Sequence, residues 1–380
     1  MKKKLLGLFT LAILLSIMLR FVPVGLAEST FKIKGVWLTN VDSDILFNKE
    51  FLQKAIDQLA QFNFNTLYPT TWNWGYTLYP SDVAQKATGV SLDPSEQLKE
   101  RDVLQEILEA GHLKKMRVIP WFEFGFMAPA DSQLVKRHKQ WLTQQNNGST
   151  IWLEGGVHKR VWLNPLHPDV QEFIRDLIVE IISKYDVDGI QIDDHFGYPA
   201  QYGYDPYTVN LYRLEHQGSL PPLDFQDKEW IQWRADKLTD YVETIVKSIK
   251  KIKPQVIISL SPNPQEFSLD YYLLDWSKWQ RKGLIDEIIL QVYRKDPDSF
   301  IQELSTPEVI QANQNIPFAI GIMTGVKGSV TPLGMVSQQI EEVKKRSFGG
   351  VSFFFYESLW NFGSESKEER RQFWQSVFSQ

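Results

Sequence analysis

Gly189-Ile190-Gln191-Ile192-Asp193-Asp194-His195 alternates apolar and polar residues and ends on two acids and a histidine. Side chains point alternately to the two faces of a strand. If Ile190 and Ile192 face a layer of helices, Gln191 and Asp193 face the other way, into a barrel interior. A helical pattern over 168–185 comes immediately before it.

The same unit recurs in both directions along the chain. Short apolar runs at 35–40, 66–72, 117–124, 189–194, 255–261, 287–294, 317–323 and 350–356 read as eight strands. Helical periodicity fills the gaps at 49–61, 102–114, 168–185, 230–252 and 335–346, and a last amphipathic stretch, 367–378, closes the series. Strands that alternate with helices form a parallel sheet, because parallel neighbours need crossover connections. Eight such units predict a single (β/α)8 TIM barrel. An open doubly wound sheet is the competing architecture, but no glycine-rich phosphate turn follows the first strand. The longest connections follow strands 2, 3 and 4, and the one after strand 3 includes the turn-like Asn146-Asn147-Gly148-Ser149. Long βα loops belong to the catalytic face of a barrel.

Chemistry in a barrel sits where strands end. Asp193 and Asp194 end strand 4, and two adjacent acids in a buried place are costly unless they are paired or used. Glu123 lies among aromatics in Trp121-Phe122-Glu123-Phe124, where desolvation raises a carboxyl pKa. Glu357 follows Phe353-Phe354-Phe355-Tyr356 in the same manner. These four are the expected catalytic residues. Asn40, Trp72, Asn73, Trp74, Asn263, Glu266, Gln291, Tyr293 and Arg294 stand at or just past other strand ends. With Trp121, Asn164 and His195 they suggest a polar mouth lined with aromatics, suited to a polyhydroxylated ligand. Asn40, Trp72, Trp74, Trp121, Asn164, His195, Gln291 and Tyr293 are the expected substrate contacts. Asp193, Asp194 and His195 could ligate a metal, but the sequence has no HExxH and no cysteine, and no metal or other cofactor is expected. The lack of a GxSxG elbow argues against a serine hydrolase.

The N-terminus reads as a secretory signal over residues 1–27. Lys2, Lys3 and Lys4 precede an apolar run from Leu5 to Leu19, and Gly25-Leu26-Ala27 offers small residues for cleavage. A single domain over 28–380 would remain, periplasmic or secreted and free of the membrane. Zero cysteines exclude disulfides, and a chain of this length can do without them. Loss of the signal takes four of the 41 basic residues and no acid, leaving 37 against 46 and a net charge of −9. That balance argues against nucleic acid as a partner. Thirteen Trp, fourteen Tyr and 23 Phe favour a carbohydrate, since flat rings suit sugar faces.

Val161-Trp162-Leu163-Asn164-Pro165-Leu166-His167-Pro168-Asp169-Val170, the run from Glu180 to Asp194, Gly35-Val36-Trp37-Leu38-Thr39 and Gln291-Val292-Tyr293 form a set of stretches. Together they resemble the bacterial glycosyl-hydrolase-like family of the glycosyl hydrolase-like 10 type. The resemblance spans about residues 33–360. It implies a barrel of glycosidase ancestry, export, a site around Asp193 and, for some members, association with peptidoglycan glycan strands. The family commonly carries a different polar residue where this chain has Glu123.

The expected activity is hydrolysis of a glycosidic bond in a polysaccharide or oligosaccharide by two carboxyl groups. Asp193 is one member, Glu123 and Glu357 compete for the other, and Asp194 tunes the pair. Two alternatives remain: a wall- or exopolysaccharide-binding protein without catalysis, and a metal-assisted hydrolase such as a polysaccharide deacetylase.

Overall fold

The computed structural model describes residues 31–378, so the expected signal segment lies outside the described residues. Among the described residues no helix is long and apolar enough to cross a membrane.

All eight expected strands are present. They are β1 (Ile33–Leu38), β2 (Thr66–Pro69), β3 (in two segments, Arg117–Val118 and Trp121–Phe122), β4 (Gly189–Asp193), β5 (Ile257–Ser261), β6 (Glu287–Gln291), β7 (Phe318–Met323) and β8 (Gly350–Phe354). Every pairing between them is parallel, and β1 lies between β2 and β8. The two segments of β3 stand at opposite ends of the hydrogen-bonded order. Arg117–Val118 pairs with β2 and Trp121–Phe122 with β4. Only Ile119 and Pro120 separate them, so the ring is closed.

Pro120 explains the break, since it has no N–H to donate. Ile119 N donates to Leu67 O on one side, and Pro120 O accepts from Gln191 N on the other. The strand thereby changes partner within two residues.

Alternation along the strands builds two cores. Val36, Leu38, Leu67, Val118, Ile190, Ile192, Leu260 and Leu290 face outward to the helices. Ile33, Trp37, Tyr68, Ile119, Trp121, Ile289, Ala319 and Phe355 fill the inside. A Cβ at Gly35 would stand 2.7 Å from the Tyr68 ring, so glycine makes room for that inward aromatic.

The expected helices also form, from Lys49–Gln61 to Lys367–Val377. Asn48 caps the first by accepting from Phe51 N, and His167 with Pro168 opens Pro168–Lys184.

The lower interior is polar. Glu287, 2% exposed, accepts from the Tyr68 hydroxyl (2.9 Å) and the Ser259 hydroxyl (3.0 Å), and pairs with Arg117 (2.9 Å). Gln191 donates to Ser259 (3.0 Å) and accepts from Trp37 Nε1 (2.7 Å). These bonds link β1, β2, β3, β4, β5 and β6 across the barrel. Glu287→Ala would strand two hydroxyls and a half-buried guanidinium. Urea unfolding should report a loss of about 3 kcal/mol, the lower end for a broken buried pair because Arg117 is partly hydrated.

Strand ends are shorter than expected on β2, β6 and β8. Past Pro69 the chain turns into a small hairpin, Trp72–Asn73 with Tyr76–Thr77. After β3 it forms an antiparallel sheet of Met127–Pro129, Trp152–Glu154 and His158–Trp162. After β4 it forms the helix Pro206–Glu215.

Candidate active site

Asp193 ends β4 with its carboxylate inside the barrel mouth and is 2% exposed. Its Oδ1 accepts from Trp121 Nε1 (3.1 Å), the Ser261 hydroxyl (2.9 Å) and Gln291 Nε2 (3.0 Å). Oδ2 faces His195 Nδ1 at 3.0 Å. Asp194 begins the turn after β4, lies 3.2 Å from the same Nδ1 and accepts from Asn263 Nδ2. One imidazole is thus shared by two carboxylates.

Their environments push the two acids apart. Burial raises Asp193, and the neighbouring Asp194 charge raises it further, against the pull of His195. Burial also works against the Asp194 charge, but the closeness of His195 outweighs it and holds Asp194 below its ordinary range. Burial disfavours His195 as a cation, yet Asp194 and Asp193 together hold its proton on and raise it. The three groups form a proton-holding unit whose most exposed member is the imidazole.

Glu123 follows the second segment of β3. Gln191 pairs with Trp121 and Ile192 with Phe122, so one more step along this register sets Asp193 beside Glu123 on adjoining strands. Thr39 (2.9 Å), Thr70 (2.8 Å) and Asn73 (3.0 Å) all donate to Glu123 Oε2. Among the described residues no donor is recorded on Oε1. Burial pushes the carboxyl up to about 7, while Thr70, Thr39 and the His195 charge pull it down. It is therefore a carboxyl poised to give up a proton near neutrality, with one oxygen to do so.

Other residues complete the mouth. Tyr293 is raised by burial and then by the charges of Asp193, Asp194 and Glu123, and its ring packs on Phe354 at 5.5 Å. Gln291 and Trp121 act as donors to Asp193. Asn40 accepts from Asn73 Nδ2 at 2.7 Å, and its own buried Nδ2 has no partner among the described residues. His195 stacks on Trp162 (5.8 Å, 25°), whose buried Nε1 is likewise unpartnered. Gly125 has φ +50°, and a Cβ there would lie 2.3 Å from His195 O, so glycine lets the β3 loop cross over the β4 end.

Thr39, Thr70, Ser261, Trp162 and Tyr272 are site residues absent from the sequence expectations. Thr39 and Thr70 follow Trp37 and Tyr68 at a spacing of two, and that period is the signal that would have found them. Tyr272 stands on the helix Gln265–Tyr272, and its phenol is raised by burial and by the Asp194 charge. No strand-end rule reaches it.

Four expected residues sit elsewhere. Glu357 lies on the helix Tyr356–Trp360 and accepts from Ser43 (3.2 Å) and Asn361 (3.1 Å). The charges acting on it are Asp44 and Lys367, not the strand-4 acids. Glu357→Gln should therefore leave turnover within about twofold of the unaltered chain, whereas a true partner of Asp193 would cost about a hundredfold or more. Trp72 is fully buried in the outer core, edge-on to Phe173, with Nε1 donating to Gly125 O. Trp74 packs partly buried against that same core. Asn164 is buried in a polar knot, donating to Asp205 and Thr208 (both 2.9 Å), and joins the β3 loop to the β4 loop.

The family profile of glycosyl hydrolase-like 10 matches residues 32–341, most of the chain. The chain belongs to the glycosyl hydrolase-like 10 family. Glycosyl hydrolase DigH of Escherichia coli K12 is 24% identical over 71% of this chain and 67% of its own length. Glycosyl hydrolase YngK of Bacillus subtilis is 22% identical over 70% of this chain and 55% of its own. Among solved structures, the PgaB (BpsB) glycoside hydrolase domain of Bordetella bronchiseptica superposes with a TM-score of 0.65 at 13% identity. That match covers 90% of this chain and 98% of the domain. This glycosyl hydrolase-like 10 chain therefore shares its barrel fold with that domain.

Proposed function

We propose that this protein is an exported glycoside hydrolase that cuts a bacterial polysaccharide, with peptide-free peptidoglycan strands as the first substrate to try. The observation that carries this reading is the divergence of the mouth carboxyls. Glu123 is pushed up to about 7 with a free Oε1, and Asp194 is held down beside His195. Acid and base roles follow when neighbouring titratable groups are driven apart.

Glu123 protonates the leaving glycosidic oxygen through Oε1. Asp193 is the opposing carboxylate. Burial and the Asp194 charge make it the stronger base of the two aspartates, and the His195 imidazole at 3.0 Å opposes that rise and favours its charge. It accepts the proton of an attacking water or attacks the anomeric carbon itself. Asp194 holds His195, so the group retains negative charge facing the oxocarbenium-like centre. The phenol of Tyr293, which feels the charges of Asp193, Asp194 and Glu123, is a hydrogen-bonding group for the sugar. Names of relatives that contain "glycosyl hydrolase" support the reaction class.

The test is incubation with a panel of glycans that includes peptide-free peptidoglycan strands, read by product mass. Shorter oligosaccharides support the hydrolase; unchanged masses with retained binding favour a binding protein.

A metal-assisted deacetylase is a second reading, because Asp193, Asp194 and His195 each bring one possible ligand atom within 4.8 Å of the others. It requires acetyl loss without chain shortening, abolished by a chelator. The hydrolase reading expects chain shortening that a chelator leaves unchanged.

A further inference from the structure

We infer that the helix Gln265–Tyr272 carries a distal binding platform for an unbranched glycan chain, formed by Phe267 and Tyr271. The inference rests on the carbohydrate reading of the mouth and adds to it a place where sugars several units from the reacting bond are held.

An unbroken path of rings runs from the reacting groups to the surface. His195 stacks on Trp162 at 5.8 Å, Trp162 meets Tyr272 at 6.1 Å, and Tyr272 meets Phe267 at 5.6 Å. Phe267 then stacks on Tyr271 at 5.2 Å and 28°. The burial changes along the path. Trp162 is 1% exposed, whereas Phe267 and Tyr271 are 41% and 48% exposed. Two adjacent rings, stacked on each other and left open to water, are unusual where a core could have taken them, and they lie on the βα side of β5, beside the mouth.

The setting favours sugar as the occupant. The exposed residues between and beside the rings are Glu266 and Asp270, acceptors for hydroxyl groups. Flat rings bordered by acceptors match a sugar, which presents C–H faces and hydroxyl edges. The platform is also held in position. Tyr198 N and Ala200 N from the β4 loop donate to the carbonyls of Tyr272 and Tyr271. Ser268 Oγ donates to Asn263 O at 2.8 Å, and Asn263 itself reaches Asp194. A chain seated on the rings would therefore be referenced to the carboxyls, and its binding energy would be spent where the bond breaks. An enzyme that grips sugars so far from the cut acts within long chains rather than on dimers.

The probe is a size series of oligosaccharides cut from peptide-free peptidoglycan strands, disaccharide to octasaccharide, titrated calorimetrically and assayed for turnover. The variant is Phe267→Ala with Tyr271→Ala, two exposed positions whose truncation spares the core. Affinity of the unaltered protein should rise about tenfold or more between the shortest and longest members, and the double variant should lose that rise while binding the shortest equally well. KM for long chains should rise, with kcat on the shortest cleavable member unchanged. A length dependence that is the same in both proteins, or none in the unaltered protein, overturns the platform. Failure of the hydrolase reading looks different: the length-dependent affinity and its loss persist while no product forms.

Discussion

Asp193→Asn should lower kcat on any cleavable glycan by about a thousandfold while the protein stays folded. The amide keeps an acceptor for Trp121, Ser261 and Gln291, so the three bonds that seat residue 193 survive. It loses the negative charge and turns an N–H toward His195 Nδ1, where the native carboxylate accepts. His195 then keeps only Asp194 as an anionic partner and its raised pKa falls. A modest cost of 1 to 2 kcal/mol, a few degrees in Tm, is the expected structural penalty for one altered buried bond. Circular dichroism and a melting curve separate this from unfolding. Retained turnover in a folded Asp193→Asn protein would remove Asp193 from the chemistry.

Glu123→Gln should produce the second large effect, and its pH dependence is specific. The native carboxyl has a pKa of about 7, against 4.5 for the unperturbed group. As a proton donor it works below that value, so activity should fall as pH rises through about 7. Glu123→Gln should lose a hundredfold or more in kcat on substrates with poor leaving groups, and the alkaline limb should vanish with it. Stability falls with rising pH as well, over a lower window. Between pH 4.5 and 7 the native protein holds a proton that the unfolded chain has lost, so stability drops as pH rises across this window. The whole loss is about 3 kcal/mol and is complete above pH 7. Urea titrations should show the variant and the unaltered protein alike near pH 4, with the variant more stable by that order at pH 8. Such a pattern would mark Glu123 as a residue kept at a cost to the fold.

The barrel was legible because its signal is repeated. Each strand pairs short apolar runs with a helical stretch, and the inward row Gln191, Asp193 can be read from alternation with Ile190 and Ile192. The same parity points Glu123 inward after Trp121. The reading failed where the chain left the strands. Trp72 follows the apolar run of β2 and so reads as a mouth residue, but β2 ends at Pro69, and the hairpin after it turns the indole out toward Phe173. Glu357 was expected to continue β8, yet a helix begins at Tyr356 and swings it toward Ser43. Asn164 sits in the most distinctive motif, and that motif serves a buried junction of two loops rather than the sugar. Tyr272 and Trp162 come to His195 only through loop packing, a long-range event that local periodicity does not encode.

The central claim is that Glu123 and Asp193 work on the two sides of one glycosidic bond. The most direct measurement is a crystal structure of Asp193→Asn soaked with an uncleaved oligosaccharide. The scissile oxygen is expected within about 3 Å of Glu123 Oε1, with the anomeric carbon turned toward residue 193. A sugar bound in the mouth with its linkage oxygen beyond the reach of Glu123, or facing neither carboxyl, would contradict the account.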